Sequence, residues 1–238
     1  MAAPVDSAAP RGDGLRRLYG RRQGRPLRAG RRHLIDDLLP GLAIPLDNVA
    51  TASLDPKALF AAPREVWLEI GFGGGEHLAA QARANPAIGV IGVEPFINGA
   101  ASLLKAIDAE KLTNVRLLMD DARPLLEALA PRSIARAFIL FPDPWPKRRH
   151  WKRRIVSRAV LDQLARVLVP GAELRLATDD PDYADWMLLA VLAHPDFIWT
   201  ARGPSDWRVR PADQPQTRYE SKALAAGRKP LFVVARRR

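Results

Sequence analysis

An α/β fold, with a doubly wound, mostly parallel sheet of seven strands and a basic flexible N-terminal arm, is predicted by three features of the sequence. From Glu65 onward, short apolar runs alternate with helical patterns, the signature of βαβ units. The apolar runs are nearly continuous, as in strands covered by helices on both faces. The chain has 238 residues and is 47% hydrophobic, enough for one sizeable core.

The elements follow in order. Residues 1–33 are rich in Arg, Gly and Pro and hold too few apolar side chains to bury their own surface, so they read as a disordered basic arm preceding a domain over 34–238. Strands are expected at Glu65–Ile70, Val90–Val93, Val115–Leu118, Ala137–Phe141 and Leu174–Ala177, with helices at Glu76–Asn85, Ile97–Leu112, Pro124–Ala130 and Ser157–Leu168 between them. Asp182–Ala193 reads as a further helix, and Phe197–Thr200 and Leu231–Ala235 as two last strands. Ala201–Gln216, with three prolines and a glycine, reads as a long loop.

Composition narrows the function. Lys and Arg exceed Asp and Glu by 37 − 26 = 11, an imbalance that points to a polyanionic partner, nucleic acid before an anionic membrane. The absence of cysteine excludes a disulfide scaffold, a thiolate nucleophile and cysteine-bound metal. His33, His77, His150 and His194 form no H-x-x-x-H pair, so no metal is expected. The first ten residues lack the charged start and apolar stretch of a signal peptide, and no apolar run is long enough to span a bilayer. A cytoplasmic protein with no membrane contact is expected, an Arg-rich transit peptide being the competing reading of the arm.

In open α/β sheets, ligands bind beyond the C-terminal ends of the strands, so the residues after each strand are the candidates. After the first comes Glu69-Ile70-Gly71-Phe72-Gly73-Gly74-Gly75-Glu76. A dinucleotide fingerprint would place Gly or Ala where Glu76 stands, and a carboxylate in that first helical turn opposes a pyrophosphate. Glu69 and Glu76 flank the glycines and suit a cationic, phosphate-free ligand such as S-adenosyl-L-methionine, although Glu76 also simply favours the helix dipole. Glu94, about twenty residues past the glycines, stands where ribose hydroxyls are gripped. Asp120 and Asp121 end the third strand. One is a helix cap, and Asp121 is taken as the ligand-facing acid.

The fourth strand leads into Phe141-Pro142-Asp143-Pro144-Trp145-Pro146-Lys147. Its three prolines hold Asp143 and Trp145 in a stiff loop. There a carboxylate can accept from a guanine N–H edge and a ring can stack on an unpaired base. Residues 147–154 carry six cations and no acid, interleaved with His150 and Trp151, a pattern suited to phosphates. Asp179 follows the fifth strand, and Thr217-Arg218-Tyr219-Glu220 follows the long loop.

These segments, in this order, resemble the bacterial tRNA (guanine-N7)-methyltransferases over roughly residues 60–238. The carriers are Leu68–Gly75, Val93-Glu94, Asp121-Ala122, the proline-framed Phe141–Lys147 stretch, the basic run to Ile155, Ala177-Thr178-Asp179 and Thr217–Glu220. The proline-framed stretch is the specific one. The resemblance implies a Rossmann-like methyltransferase fold, S-adenosyl-L-methionine as methyl donor, and guanine 46 of the tRNA variable loop as acceptor. It implies cofactor contacts from Glu69, Gly71, Gly73, Glu94, Asp121 and Asp143, with Asp143 also the catalytic residue. Lys147, Asp179, Thr217, Arg218, Tyr219 and Glu220 resemble substrate-contacting positions, and Arg149, His150, Trp151, Lys152, Arg153 and Arg154 resemble the RNA-contacting run. A monomer or homodimer is expected. Competing readings are methylation of an exocyclic base amine, whose enzymes resemble a D-P-P-aromatic loop that this chain lacks, a non-catalytic RNA chaperone, and, more distantly, a nicotinamide oxidoreductase.

Overall fold

The first strand, β1 (Glu65–Ile70), is buried along nearly its whole length and pairs in parallel on both sides. Around it the computed structural model, which describes residues 20–46 and 49–238, builds a seven-stranded sheet. The remaining strands are β2 (Ile88–Val93), β3 (Val115–Leu118), β4 (Ile134–Leu140), β5 (Leu168–Thr178), β6 (Phe197–Trp199) and β7 (Leu231–Arg237). Their order is β3-β2-β1-β4-β5-β7-β6. The first five run parallel, and β7 lies antiparallel to both β5 and β6. The Rossmann-like, mostly parallel sheet expected from the sequence is therefore present, with its antiparallel part at one edge.

Helices cover both faces because each strand offers apolar side chains to both. On one face Val66, Leu68, Ile91, Ala137, Ile139 and Leu174 pack against α5 (Ala122–Ala128), α6 (Arg158–Val167) and α7 (Pro181–Leu192). On the other, Val90, Val115 and Leu117 meet α3 (Glu76–Ala84) and α4 (Ile97–Glu110). Trp67, Phe138 and Phe232 form a smaller cluster there. Strand order reverses between β1 and β4, and this switch point opens the crevice described below.

Several boundaries differ from expectation, by two or three residues at the starts of β2, β4 and α5 and by more in three places. β5 begins at Leu168, because Val169, Pro170 and Gly171 continue the strand through a left-handed Gly171 (φ 81°) instead of forming a separate turn. The long loop contains a helical turn, α8 (Ser205–Arg208), and ends at an unanticipated helix, α9 (Arg218–Ala225), capped by Thr217. Of the basic segment expected to be disordered, residues 1–19 lie outside the described residues, but residues 20–33 are held. α1 (Ala29–Asp37) and α2 (Leu39–Leu42) carry Leu34, Ile35, Leu38 and Leu42 against the α3–α4 core, and this apolar stripe draws the preceding arginines onto the domain. The Asn98 side chain clasps that segment, accepting from Gly24 N–H at 2.7 Å and donating to the Arg25 carbonyl at 2.8 Å.

Candidate active site

The crevice has a volume of about 360 Å³ and is walled by Ile70, Val93, Leu140 and Phe96, with Glu94, Asp121 and Asp143 on its rim. Its floor is the glycine loop between β1 and α3. Gly73 adopts φ 54°, a left-handed conformation that a side chain would strain. Its N–H donates to Glu94 Oε2 at 2.9 Å, while Glu94 Oε1 accepts from Phe96 N–H at 3.0 Å. One carboxylate thus ties the glycine loop to the turn that opens α4. The backbone of α4 presses on the same loop: a Cβ on Gly99 would lie 2.0 Å from the Gly73 carbonyl oxygen. Burial raises the pKa of Glu94 above the ordinary carboxylate range. The two backbone N–H groups oppose that rise, and the neighbouring Asp143 and Glu69 charges add to it.

Asp143 stands where β4 ends. Phe141 turns the chain with φ 52°, its N–H held by the Ala177 carbonyl at 2.8 Å, and Trp145 turns it again with φ 47°. Left-handed backbone at two aromatic residues is costly, of order 1–2 kcal/mol each, and is maintained only where surrounding contacts impose it. Here they are visible. Arg154 Nε donates to the Pro144 carbonyl at 2.8 Å, and the Arg153 guanidinium covers one face of the Trp145 ring at 4.8 Å. The crevice walls desolvate the Asp143 carboxyl and raise its pKa, although more than a third of the residue faces the opening. Glu94 and Asp143, set against the apolar walls Ile70, Val93 and Leu140, suit a ligand that carries positive charge beside a nucleoside, while Arg21, Arg123 and Arg153 also border the crevice.

The family model described as "Putative methyltransferase" matches residues 63–233. A curated relative from Rhodospirillum rubrum, named tRNA (guanine-N(7)-)-methyltransferase, is 54% identical over 224 residues, covering 93% of this chain and 88% of that protein. A relative of the same name from Chelativorans is 49% identical, covering 91% of this chain and 93% of that protein. The chain belongs to the tRNA (guanine-N7)-methyltransferase family. Among solved structures, the 16S rRNA methyltransferase KamB superposes with a TM-score of 0.52 at 18% identity, covering 76% of this chain and 91% of that one, a likeness of fold.

Against the family's pattern, the predicted residues fall into three groups. Gly71, Gly73, Glu94, Asp121, Asp143 and Tyr219 line the crevice. Asp121, taken above as the ligand-facing acid, is the N-cap of α5. Its Oδ1 accepts from Arg123 N–H at 2.9 Å and its Oδ2 from Arg123 Nη1 at 2.7 Å. Asp120 instead accepts from Arg22 Nη2 at 2.9 Å, so both acids are engaged within the chain. Glu69 lies lower, 3% exposed, its Oε2 bound by His77 Nδ1 at 2.7 Å.

The second group borders the crevice. Lys147, Arg149 and Lys152 are exposed around a short 3-10 helix, Arg148–Arg153. His150 meets the Trp145 ring edge-on, and desolvation together with neighbouring cations holds its pKa below the usual imidazole value. Asp179 accepts from Arg228 Nε at 2.5 Å. Arg218 pairs with Glu76 across the glycine loop, and Tyr219 lies over Gly73.

The third group is internal. Thr217 accepts from Glu220 N–H at 3.2 Å as the cap of α9. Glu220 is 4% exposed and pairs through Oε1 with Arg210 Nε at 3.0 Å. Arg154, expected to face RNA, is 2% exposed. Its guanidinium sits 4.8–5.0 Å from the rings of Tyr183, Trp186 and Trp151, so its charge is spent inside the protein. Trp151 packs against Trp186 at 5.6 Å in the same cluster.

Some of the crevice lining had no signal in the sequence. Gly20 and Arg21 lie in a run of similar arginines and glycines, and Phe96 and Arg123 carry no motif. Among the described residues, no group of His, Cys, Asp and Glu is arranged to hold a metal, and no helix is long and apolar enough to cross a membrane.

Proposed function

We propose that this protein transfers a methyl group from S-adenosyl-L-methionine to N7 of a guanine in tRNA, guanine 46 of the variable loop, in the cytoplasm. The observation that carries the reading is the placement of Asp143. It stands on a rigidly turned, proline-framed loop at the mouth of a crevice rimmed by Glu94 and Asp121, beside the Trp145 ring and an exposed cationic segment. The relatives' name, tRNA (guanine-N(7)-)-methyltransferase, supports the tRNA and N7 parts of this reading.

The crevice fits a donor of this kind. Glu94 stands over the glycine loop where ribose hydroxyls would be received, Gly71 and Gly73 leave room for a close approach, Asp121 is placed beside the base position, and Glu69 lies beneath. The donor supplies an electrophilic methyl on a sulfonium. Guanine N7 carries a lone pair and no proton at neutral pH, so the chain need not provide a strong base. Its task is alignment, and effective concentrations from alignment alone supply ~7–11 kcal/mol of barrier lowering in favourable cases. Asp143 orients the guanine and stabilises positive charge as it develops on the ring. Trp145 offers the base a stacking surface. Lys147, Arg149, His150, Lys152 and Arg153 receive phosphates, and Asp179 with Thr217–Glu220 contacts the acceptor side. Residues 34–238 form the catalytic domain in this reading, and the arginine-rich segment before them contributes to RNA affinity.

The test is incubation with labelled S-adenosyl-L-methionine and unmodified tRNA, followed by strand cleavage at N7-methylguanosine. Cleavage at one variable-loop guanine is expected. Label without such cleavage would move the chemistry to an exocyclic amine or a ribose and overturn the reading.

A further inference from the structure

Beneath the glycine loop runs a buried polar chain that the chemistry above does not use directly. It starts at Glu69, the acid at the end of β1, and continues through His77 and Gln81, four residues apart on α3. The three are 3%, 1% and 4% exposed. His77 Nδ1 lies 2.7 Å from Glu69 Oε2, and His77 Nε2 lies 3.3 Å from Gln81 Nε2. Gln81 Nε2 also donates to the Asp213 carbonyl at 2.7 Å, while Gln81 Oε1 faces Asn85 Nδ2 at 3.4 Å.

The directions of these bonds follow from their ends. An amide nitrogen has two protons and accepts none. With one proton given to Asp213, the other points at His77 Nε2, which must therefore be the accepting nitrogen. The single ring proton then sits on Nδ1 and is donated to Glu69. Phe138 meets the imidazole edge-on at 4.7 Å and limits its rotation. At the far end Asp213 is itself fixed, since its carboxylate accepts from Arg175 at 2.7 and 3.0 Å and from Arg136 at 3.0 Å. Asp213 belongs to the segment that leads into Thr217 and α9.

A purely architectural contact between a strand and a helix at this depth would be cheaper if it were apolar, because a buried carboxylate costs free energy even when paired. Glu69 has no hydrogen bond to Oε1 among the described residues, and its side chain helps to raise the pKa of Glu94 across the loop. We propose that His77 and Gln81 are positioning residues: they aim the Glu69 carboxylate at the methyl donor and tie it to the segment that delivers Thr217–Glu220. The proposal rests on the reading that Glu69 holds the donor.

The experiment uses the full chain and four variants, Glu69→Gln, His77→Leu, His77→Asn and Gln81→Leu. It measures the Kd for S-adenosyl-L-methionine by calorimetry, kcat and KM for the donor at saturating tRNA, and thermal melting. His77→Leu is expected to raise Kd and KM roughly tenfold while kcat changes little, the scale on which outer partners of a binding group act. His77→Asn, which keeps a donor where Nδ1 stood, should recover most of the loss, and Gln81→Leu should show a smaller rise in KM.

A folded His77→Leu variant with wild-type Kd, beside a Glu69→Gln variant that binds poorly, would overturn the proposal and leave the function standing. Wild-type binding by Glu69→Gln would remove the reading of Glu69 and the proposal with it. Should His77→Leu fail to fold, the nitrogen-15 shifts of the wild-type ring decide: protonated Nδ1 with bare Nε2 is expected at neutral pH, and the opposite tautomer or an imidazolium overturns it.

Discussion

Arg154 holds Pro144 from below, its Nε donating to the proline carbonyl at 2.8 Å inside a cage of three aromatic rings. A cation at 2% exposure, paired with no carboxylate among the described residues, is stabilised by ring quadrupoles and by the Pro144 carbonyl. Replacing it removes packing and the support of the Asp143 loop together. Arg154→Ala is expected to lose about 2–4 kcal/mol of stability, as other large truncations in cores do. Denaturant unfolding measures this, and a loss below roughly 0.5 kcal/mol, the scale of a surface change, would contradict the cage.

The exposed cations of the same run should behave differently. Lys147→Ala and Lys152→Ala are expected to leave melting unchanged and each to reduce the salt slope of tRNA binding by about one charge's share, ~0.7–0.9 in log K against log salt. Filter binding across a salt series reads this directly. An unaltered slope would mean that neither side chain meets a phosphate.

For Asp143, the function and the ligand-free fold pull in opposite directions. Asp143→Asn removes the charge expected to steady the guanine, and kcat should fall roughly 10²–10³-fold with tRNA affinity retained. It also relieves the repulsion that helps raise the pKa of Glu94. The variant should therefore melt at or above the wild-type temperature, which differential scanning calorimetry would show.

Two pH effects of opposite sign follow from the raised carboxyls of Glu94 and Asp143. In the unfolded chain these groups ionise near pH 4; in the fold they do so higher. Their contribution to stability is present below the unfolded value and is lost as pH rises through the folded one. The melting advantage of Glu94→Gln over wild type should therefore widen as pH climbs out of the acid range. Affinity for the sulfonium-bearing donor should run the other way, falling on acidification before ordinary carboxylates titrate. Calorimetric titrations at a series of pH values would detect it, and a flat profile would contradict it.

The close approach of α4 to the glycine loop gives the last prediction. Gly99→Ala would place a methyl 2.0 Å from the Gly73 carbonyl oxygen, so helix and loop must part. Overpacking of this kind costs about 1–3 kcal/mol, and here the displacement falls on the glycine loop proposed to receive the donor. Donor affinity should drop more than tRNA affinity, and equal losses would indicate general unfolding instead.

The parallel strands were legible because their side chains are apolar on both faces, leaving little to confuse with a loop. Glu94 and Asp143 were legible because strand ends in this fold converge. Arg154 was not, since six cations in a row look alike until the turn at Arg148–Arg153 rotates one of them inward. Asp120 and Asp121 could not be sorted for a similar reason: which acid caps a helix depends on where the first turn begins, and α5 starts at Ala122, two residues earlier than the pattern suggested. The helix at Arg218–Ala225 was hidden by a mostly polar composition, its apolar contact resting on little more than Ala223.

The antiparallel seventh strand has a consequence for the order in which the protein becomes competent during synthesis. β7 pairs Leu231 with Thr178 at the rim, and only then are Arg218, Tyr219 and Arg228 folded back over Gly73, Glu76 and Asp179. Until β7 is in place, the eleven-residue β5 has one bare edge, a template for pairing with other chains. A chain lacking β7 therefore contains every glycine of the β1–α3 loop and the whole Asp143 loop, yet it has an unfinished pocket and an adhesive flank. The pocket and the sheet edge are thus completed together, by the pairing of β7 with β5.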